Sequence, residues 1–350
     1  MNIEIGISLR GGNQTATSKA PFGAVAVHEA LAHVLRAVSA SGYRFTTTTP
    51  LTHRRVLANR ATQVATALAD IFGWNAPFRP SVLDAALLRA MDRGGILRPH
   101  GTLLRSEVRI ASLGDQLFLH SSFPTNDDAA VFFGPDTYRF VRLVNETLNK
   151  FTQTTFGLDA LRTHAPVRIL DVGCGSGAGG ISAARSISRA GLTAELVLND
   201  INPLALDYAA VNAEVAGVPV VLASGDALSA VVGDFDLIIS NPPYMVDAAK
   251  RAYRDGGERL GRALSVRIAK EALRRLAPNG KLILYTGVAM VDGVDPFLAE
   301  VSPLLADSDV EWSYSEIDPD VFGEELEQPA YAHVDRIAAV GLVAQRRSSK

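Results

Sequence analysis

Val167–Val172 reads Val-Arg-Ile-Leu-Asp-Val and runs without a spacer into Gly173-Cys174-Gly175-Ser176-Gly177, after which a small-residue helix is expected over Ala178–Ala190. A mostly apolar strand that ends in a glycine turn and reopens as a helix opens a parallel sheet. The alternation continues. Strands are expected over Ala194–Asn199, Val220–Ala223, Asp236–Ser240 and Lys281–Tyr285, with helices over Pro203–Ala216 and Leu264–Leu276. Val310–Glu316 and Arg336–Val343 read as two late strands. This pattern predicts an α/β sheet with helices on both faces and a ligand at the carboxyl ends of the strands.

The 350 residues suit two domains, at roughly 100–200 residues each. The texture changes near residue 130, which divides the chain into residues 1–129 and 130–350. Val25–Ala40 places apolar residues three and four apart, a helical spacing. Ala61–Phe72 and Val82–Met91 repeat it, with Ser81 as the expected N-cap, Asp84 in the first turn and Gly94-Gly95 as the stop. Leu104–Ala111 and Gln116–His120 flank Leu113-Gly114-Asp115 as a β-hairpin. The front part is thus a mostly helical module with a hairpin, a cap or recognition unit. Gly11–Pro21 reads as a mobile lead-in.

Net charge is -3, from 34 Lys and Arg against 37 Asp and Glu, which excludes a general nucleic-acid coat. Residues 1–130 carry 13 basic and 9 acidic side chains, net +4, and the remainder is net -7. One cysteine excludes a disulfide framework and a cysteine zinc site. Met1–Arg10 lacks the pattern of a secretory signal, and no apolar run reaches the ~18 residues of a membrane span, so a cytoplasmic protein with no membrane partner is expected.

The glycine loop has the spacing G-x-G-x-G rather than the dinucleotide G-x-G-x-x-G. Asp171, just before it, would disfavour a pyrophosphate and tolerate a cationic ligand such as a sulfonium. Asp200 ends the second strand, 23 residues after Gly177, where a carboxylate can take both hydroxyls of a ribose. Asp226 follows the third strand and can accept from an adenine amino group. The arrangement resembles the class I S-adenosylmethionine-dependent methyltransferases over residues 130–350. That resemblance implies their Rossmann-like seven-stranded sheet, S-adenosylmethionine as cofactor, Gly173, Gly175 and Gly177 at its methionine part, Asp200 at the ribose and Asp226 near the adenine. It assigns Asp171, Asn202, Ala227 and Asn241 to the same cofactor site. Cys174 reads as a small filler, with no neighbouring His to activate it.

Asn241-Pro242-Pro243-Tyr244 follows the fourth strand. Its prolines forbid a helix and leave carbonyls free as acceptors. With the Asn241 side-chain carbonyl they can hold the two in-plane hydrogens of an NH2 group, while Tyr244 offers a stacking face. The tetrapeptide resembles the amino-methyltransferases that act on conjugated nitrogens, including the HemK family of release-factor glutamine methyltransferases and enzymes of adenine, cytosine and ribosomal guanine. Gly134-Pro135-Asp136-Thr137 is similar to the family's Pro-x-Thr segment, which marks Thr137 as a substrate-side residue. Asp255-Gly256-Gly257 is similar to its Asp-Gly-Gly. Tyr138 and Tyr285-Thr286-Gly287 depart from the family's Glu and Glu-x-Gly. The resemblance implies N-methyl transfer to a protein glutamine or rRNA base.

Residues 311–335 hold eight acidic and no basic side chains apart from His333. Glu324 and Glu325 are candidates to receive a cation, so a guanidino or amidine metabolite is the alternative acceptor. Arg54, Arg55 and Arg60 form a basic run that suits RNA or a solvated helix face. His28 and His33 read as helix-surface residues, Trp74 and Trp312 as packing residues, and Asp255 or a late-loop acid as a general base if one is needed. Protein, RNA and small-molecule acceptors all remain open.

Overall fold

A computed structural model describes residues 22–125, 127–152 and 166–347. The Met1–Arg10 start and the Gly11–Pro21 lead-in lie outside the described residues. The centre is a seven-stranded sheet of β5 (Val167–Val172), β6 (Ala194–Asp200), β7 (Val220–Ser224), β8 (Phe235–Ser240), β9 (Leu276–Met290), β10 (Val310–Asp318) and β11 (Arg336–Arg346), in the order β10-β11-β9-β8-β5-β6-β7. β5 to β9 run parallel, and β11 is antiparallel to both β9 and β10. The order reverses at β5, so the crevice opens beyond the carboxyl ends of β5, β6 and β8. This is the seven-stranded Rossmann-like sheet that the resemblance implied. The parallel strands fall within a residue or two of their expected bounds, except β9, which is much longer.

Helices α4 (Pro135–Thr152), α5 (Ala178–Arg189) and α6 (Pro203–Val215) cover one face, and α7 (Ala263–Leu273) and α8 (Pro296–Ala306) the other. α6 is apolar nearly all round because it is buried on both sides. Leu206, Ala209 and Ala213 meet the sheet, while Ala205, Tyr208 and Val211 enter the core of the N-terminal part. At about 1.5–3 kcal/mol for each large side chain removed from water, that second face seats the front part firmly.

The front part contains α1 (Phe22–Ala40), α2 (Pro50–Ala58), α3 (Ala85–Arg93) and strands β1 (Leu97–His100), β2 (Leu103–Ser106), β3 (Val108–Leu113) and β4 (Gln116–Ser121). The helix expected over Ala61–Phe72 does not form. The Asp70 carboxylate accepts from the Thr66 and Ala67 amides, which diverts that backbone and leaves one π turn at Ala69–Gly73. The N-cap of α3 is Asp84 rather than Ser81, and its Oδ1 accepts from Ala86 and Leu87. The strand expected over Leu104–Ala111 is two strands in different hairpins. β2 pairs with β1, and β3 pairs with β4. The Ser106 side chain breaks the run, donating to the Val108 carbonyl at 2.7 Å and accepting from its amide at 3.2 Å. Trp312 was expected to pack, but it is 43% exposed on the edge strand β10.

Candidate functional site

The residues singled out from the sequence converge on a cavity of about 490 Å³ at the carboxyl ends of β5, β6 and β8. Its floor is the glycine loop. Gly173 and Gly175 take φ of 67° and 53°, which a side chain would strain, and that turn drops the backbone under the cavity. Gly177, at φ 77°, serves α5 instead: a Cβ there would press on Ile181 and Ala209, and Gly177 is not on the wall. Asn212 of α6 holds the loop from behind. Its Nδ2 donates to the Ser176 carbonyl at 2.9 Å and to Leu119 of β4 at 3.0 Å, while its Oδ1 accepts from the Leu119 amide. One buried amide thus ties the front part to the loop. Nothing in the spacing of α6 announced it.

Asp171 is fully buried, and burial lifts its carboxyl to about 7 despite a 2.7 Å bond from the Gly180 amide. The fixed negative charge expected there is therefore only partly present near neutral pH in the free protein. Asp200 accepts from the Gly175 and Asn202 amides at 2.9 Å each, and burial raises its carboxyl too. Asn202 lines the cavity but acts as the N-cap of α6, accepting from Leu204, with its Nδ2 on the Ala129 carbonyl. Asp226 is half-exposed and gripped by both terminal nitrogens of Arg267, at 2.8 and 2.5 Å, which holds its pKa down. Ala227 beside it also lines the cavity. Asn199 also lines the cavity. Its Nδ2 donates to Ala223 and Gly225, while its buried Oδ1 has no partner. An unsatisfied acceptor, a carboxylate at the end of β6 and an open glycine cradle fit a nucleoside-bearing cofactor. Cys174 is buried, and burial with the nearby Asp200 and Asp171 pushes its thiol up, so it fills space as expected.

Asn241, Pro242, Pro243 and Tyr244 continue β8 across the same cavity. Ser240 anchors the turn by donating to the Val172 carbonyl at 2.8 Å. Among the described residues the Asn241 amide has no protein partner, so it is free to meet a ligand. The Tyr244 ring is fixed on three sides. Its hydroxyl donates to Asp136 at the start of α4, it makes a T-shaped contact with Phe322, and it lies over Gly287 of β9. Tyr285-Thr286-Gly287 therefore has a physical reason. A Cβ at Gly287 would sit 2.2 Å from the ring, and the Tyr285 hydroxyl donates to Asp136 at 3.0 Å. Asp255-Gly256-Gly257 supports the same segment from outside, since a Cβ at Gly256 would strike the Gly261 carbonyl and the Tyr244 backbone. Asp255 itself accepts from the Gly257 amide, lies 3.9 Å from the Lys250 ammonium and is not on the wall.

Thr137 is on the wall, and its Oγ1 accepts from the Gly134 amide at 3.2 Å, half of a capping box for α4. Glu324 is exposed at the rim. Glu325 is buried and bound by Arg254 and Gln328 from within the protein, so it is not a free receiver for a cation. Of the basic run, Arg54 reaches the wall, whereas Arg60 pairs with Asp70 at 2.7 Å and lies over Trp74. His28 contacts Glu214 of α6 at 2.6 Å, an interface role rather than a surface one. Pro50, Phe123 and Pro124 also line the cavity, so the front part supplies its outer wall. Among the described residues no group of three His, Cys, Asp or Glu side chains could hold a metal.

Residues 152–290 match the family model of the methyltransferase small domain. The chain is 33% identical over 171 residues to the release factor glutamine methyltransferase of Deinococcus radiodurans, covering 48% of this chain and 59% of that one. It is 31% identical over 121 residues to the ribosomal RNA small subunit methyltransferase C of Serratia proteamaculans, covering 33% of this chain and 34% of that one. The chain spans about half the length of the curated relatives it matches. A solved structure of the Thermus thermophilus 16S rRNA N2 G1207 methyltransferase, in complex with AdoMet and guanosine, aligns at 16% identity with a TM-score of 0.42, covering 77% of this chain and 64% of that one.

Proposed function

We propose that this chain, whose residues 152–290 match the family model of the methyltransferase small domain, is an S-adenosylmethionine-dependent N-methyltransferase of the HemK-like amino-methyltransferase group. Its acceptor is a planar conjugated nitrogen, a protein glutamine amide or an rRNA base. The observation that carries this reading is that Asn241-Pro242-Pro243-Tyr244, the glycine loop and Asp200 share one cavity wall.

When bound, S-adenosylmethionine supplies an electrophilic methyl group. Gly173 and Gly175 would hold its methionine part with Asp171, Asp200 its ribose, and Asp226 and the Ala227 backbone its adenine. Asp226 shares its carboxylate with Arg267 in doing so. The Asn241 side-chain carbonyl and the Pro242 carbonyl take the two hydrogens of the acceptor NH2. Holding both hydrogens in that plane draws electron density onto the nitrogen and leaves its lone pair, perpendicular to the plane, facing the donor. Pro243 shapes the wall, and the Tyr244 face orients the acceptor plane. The catalytic work is positioning and electrostatics: the methyl would pass from the sulfonium to the nitrogen, leaving S-adenosyl-L-homocysteine as a neutral thioether, and the surplus proton of the nitrogen would pass to water.

The front module, residues 1–129, presents the acceptor to the catalytic part, residues 130–350, in the cytoplasm. A guanidino metabolite would need a free late-loop carboxylate pair. Because Glu325 is committed to Arg254 and Gln328, the protein and RNA acceptors stand ahead. The test is transfer of tritiated methyl from S-adenosylmethionine into a bacterial lysate separated into RNA, protein and small-molecule fractions. Label in RNA or protein supports the reading, label confined to small molecules selects the guanidino alternative, and no label in any fraction sinks the activity.

A further inference from the structure

Asp136 is the buried acid that the transfer chemistry leaves without a task. It sits in the first turn of α4, is 3% exposed, and lines the cavity. One carboxylate oxygen accepts from the Tyr244 hydroxyl. The other accepts from the Tyr285 hydroxyl at 3.0 Å and from Arg139 at 3.1 Å. Arg139 is held in turn by Asp318 at 2.7 Å. The side chain thus joins α4, β9, the end of β10 and the segment after β8. A buried carboxylate survives only when its lone pairs are taken, and here two phenols and a guanidinium take them. Among the described residues the Tyr244 hydroxyl has no other polar partner, and Gly287 leaves a slot that its ring fills.

We infer that Asp136 is a positioning residue of the acceptor site, holding the Tyr244 ring by its hydroxyl so that the first turn of α4 sets the geometry of Asn241-Pro242-Pro243-Tyr244. The inference rests on the proposed N-methyl transfer for its kinetic test. Its structural test stands apart from that activity. The groups facing Asp136 are Tyr244, Tyr285, Arg139 and Asp318, and burial puts its own titration at about 6.

Wild type, Asp136→Asn, Tyr244→Phe, Tyr285→Phe and the double variant Asp136→Asn with Tyr244→Phe are compared as full chains. The first readout is tritium transfer from S-adenosylmethionine into the lysate fraction that accepts label. Asp136→Asn and Tyr244→Phe should each lower the rate about tenfold at saturating cofactor, with cofactor affinity by calorimetry unchanged. The double variant should be no slower than the worse single, since both remove one contact. Losses that multiply to about a hundredfold would overturn the inference. Tyr285→Phe should cost less than about twofold, and a loss equal to that of Tyr244→Phe would reduce Asp136 to a general structural hub. That comparison decides the matter if Asp136→Asn fails to fold. The second readout needs no turnover: with tyrosine labelled at Cζ by carbon-13, the Tyr244 signal (assigned by its loss in Tyr244→Phe) should shift with a midpoint near pH 6. A Tyr244 signal that neither titrates between pH 5 and 8 nor moves in Asp136→Asn contradicts the contact, whether or not the protein methylates anything.

Discussion

Gly287→Ala tests how tightly the acceptor wall is built. The added Cβ would lie 2.2 Å from Cε2 and 2.4 Å from Cδ2 of Tyr244, where ordinary contact begins near 3.4 Å, so the ring edge must retreat by about 1.2 Å. It cannot do so freely, because Asp136 holds its hydroxyl and Phe322 packs against it in a T-shaped contact. Overpacking of this kind costs about 1–3 kcal/mol of stability. A displacement of about 1 Å at a reacting centre costs about a hundredfold in rate. The variant should therefore transfer methyl groups about a hundredfold more slowly, unfold in denaturant with a stability loss in that range, and bind S-adenosylmethionine as wild type does, since Gly287 is not on the cofactor side. Initial rates of tritium transfer, urea midpoints and calorimetry report the three quantities. A rate within twofold of wild type in a protein of unchanged stability would refute the claim that the Tyr244 ring is boxed in.

Two further outcomes follow from the charges. Asp171 has a folded pKa of about 7 against an ordinary 3.8, because burial penalises its ionised form. The folded state then binds a proton that the unfolded state has released, so stability relative to Asp171→Asn should fall as pH rises toward 7 and level off above it. Urea midpoints of both proteins from pH 5 to 8.5 check this, and a pH-independent difference would contradict it. Glu325→Gln should remove the ion pair with Arg254 and cost about 1–3 kcal/mol in urea unfolding. An unchanged midpoint would mean that Glu325 is available to a ligand after all.

The sheet part, from residue 130 on, was legible because parallel strands are apolar runs and its glycine loop and Asn-Pro-Pro-Tyr occupy strand ends, where local sequence and topology agree. The front part was harder, since side chains there redirect backbone. Asp70 stopped a helix that periodicity alone predicts, and Ser106 cut one strand into two. Helix α8 was missed and α2 was given no bounds, although both carry a written start: Thr49-Pro50 and Asp295-Pro296 each place a capping side chain before a proline at the first helical position. Asn202-Pro203 carries the same signature and did mark a helix. At the site, residue type and position were readable, but partners were not. Glu325, Asp226 and Asp255 read alike as acids, and only the fold shows that the first meets Arg254, the second Arg267, and the third its own turn.

The central claim is that Asn241 orients the acceptor nitrogen, and Asn241→Ala measures it most directly. Rates of tritium transfer and calorimetric affinity for S-adenosylmethionine should be taken on the same preparation. The account predicts turnover lost to background with cofactor affinity within a few-fold of wild type. Turnover that survives the substitution would contradict it.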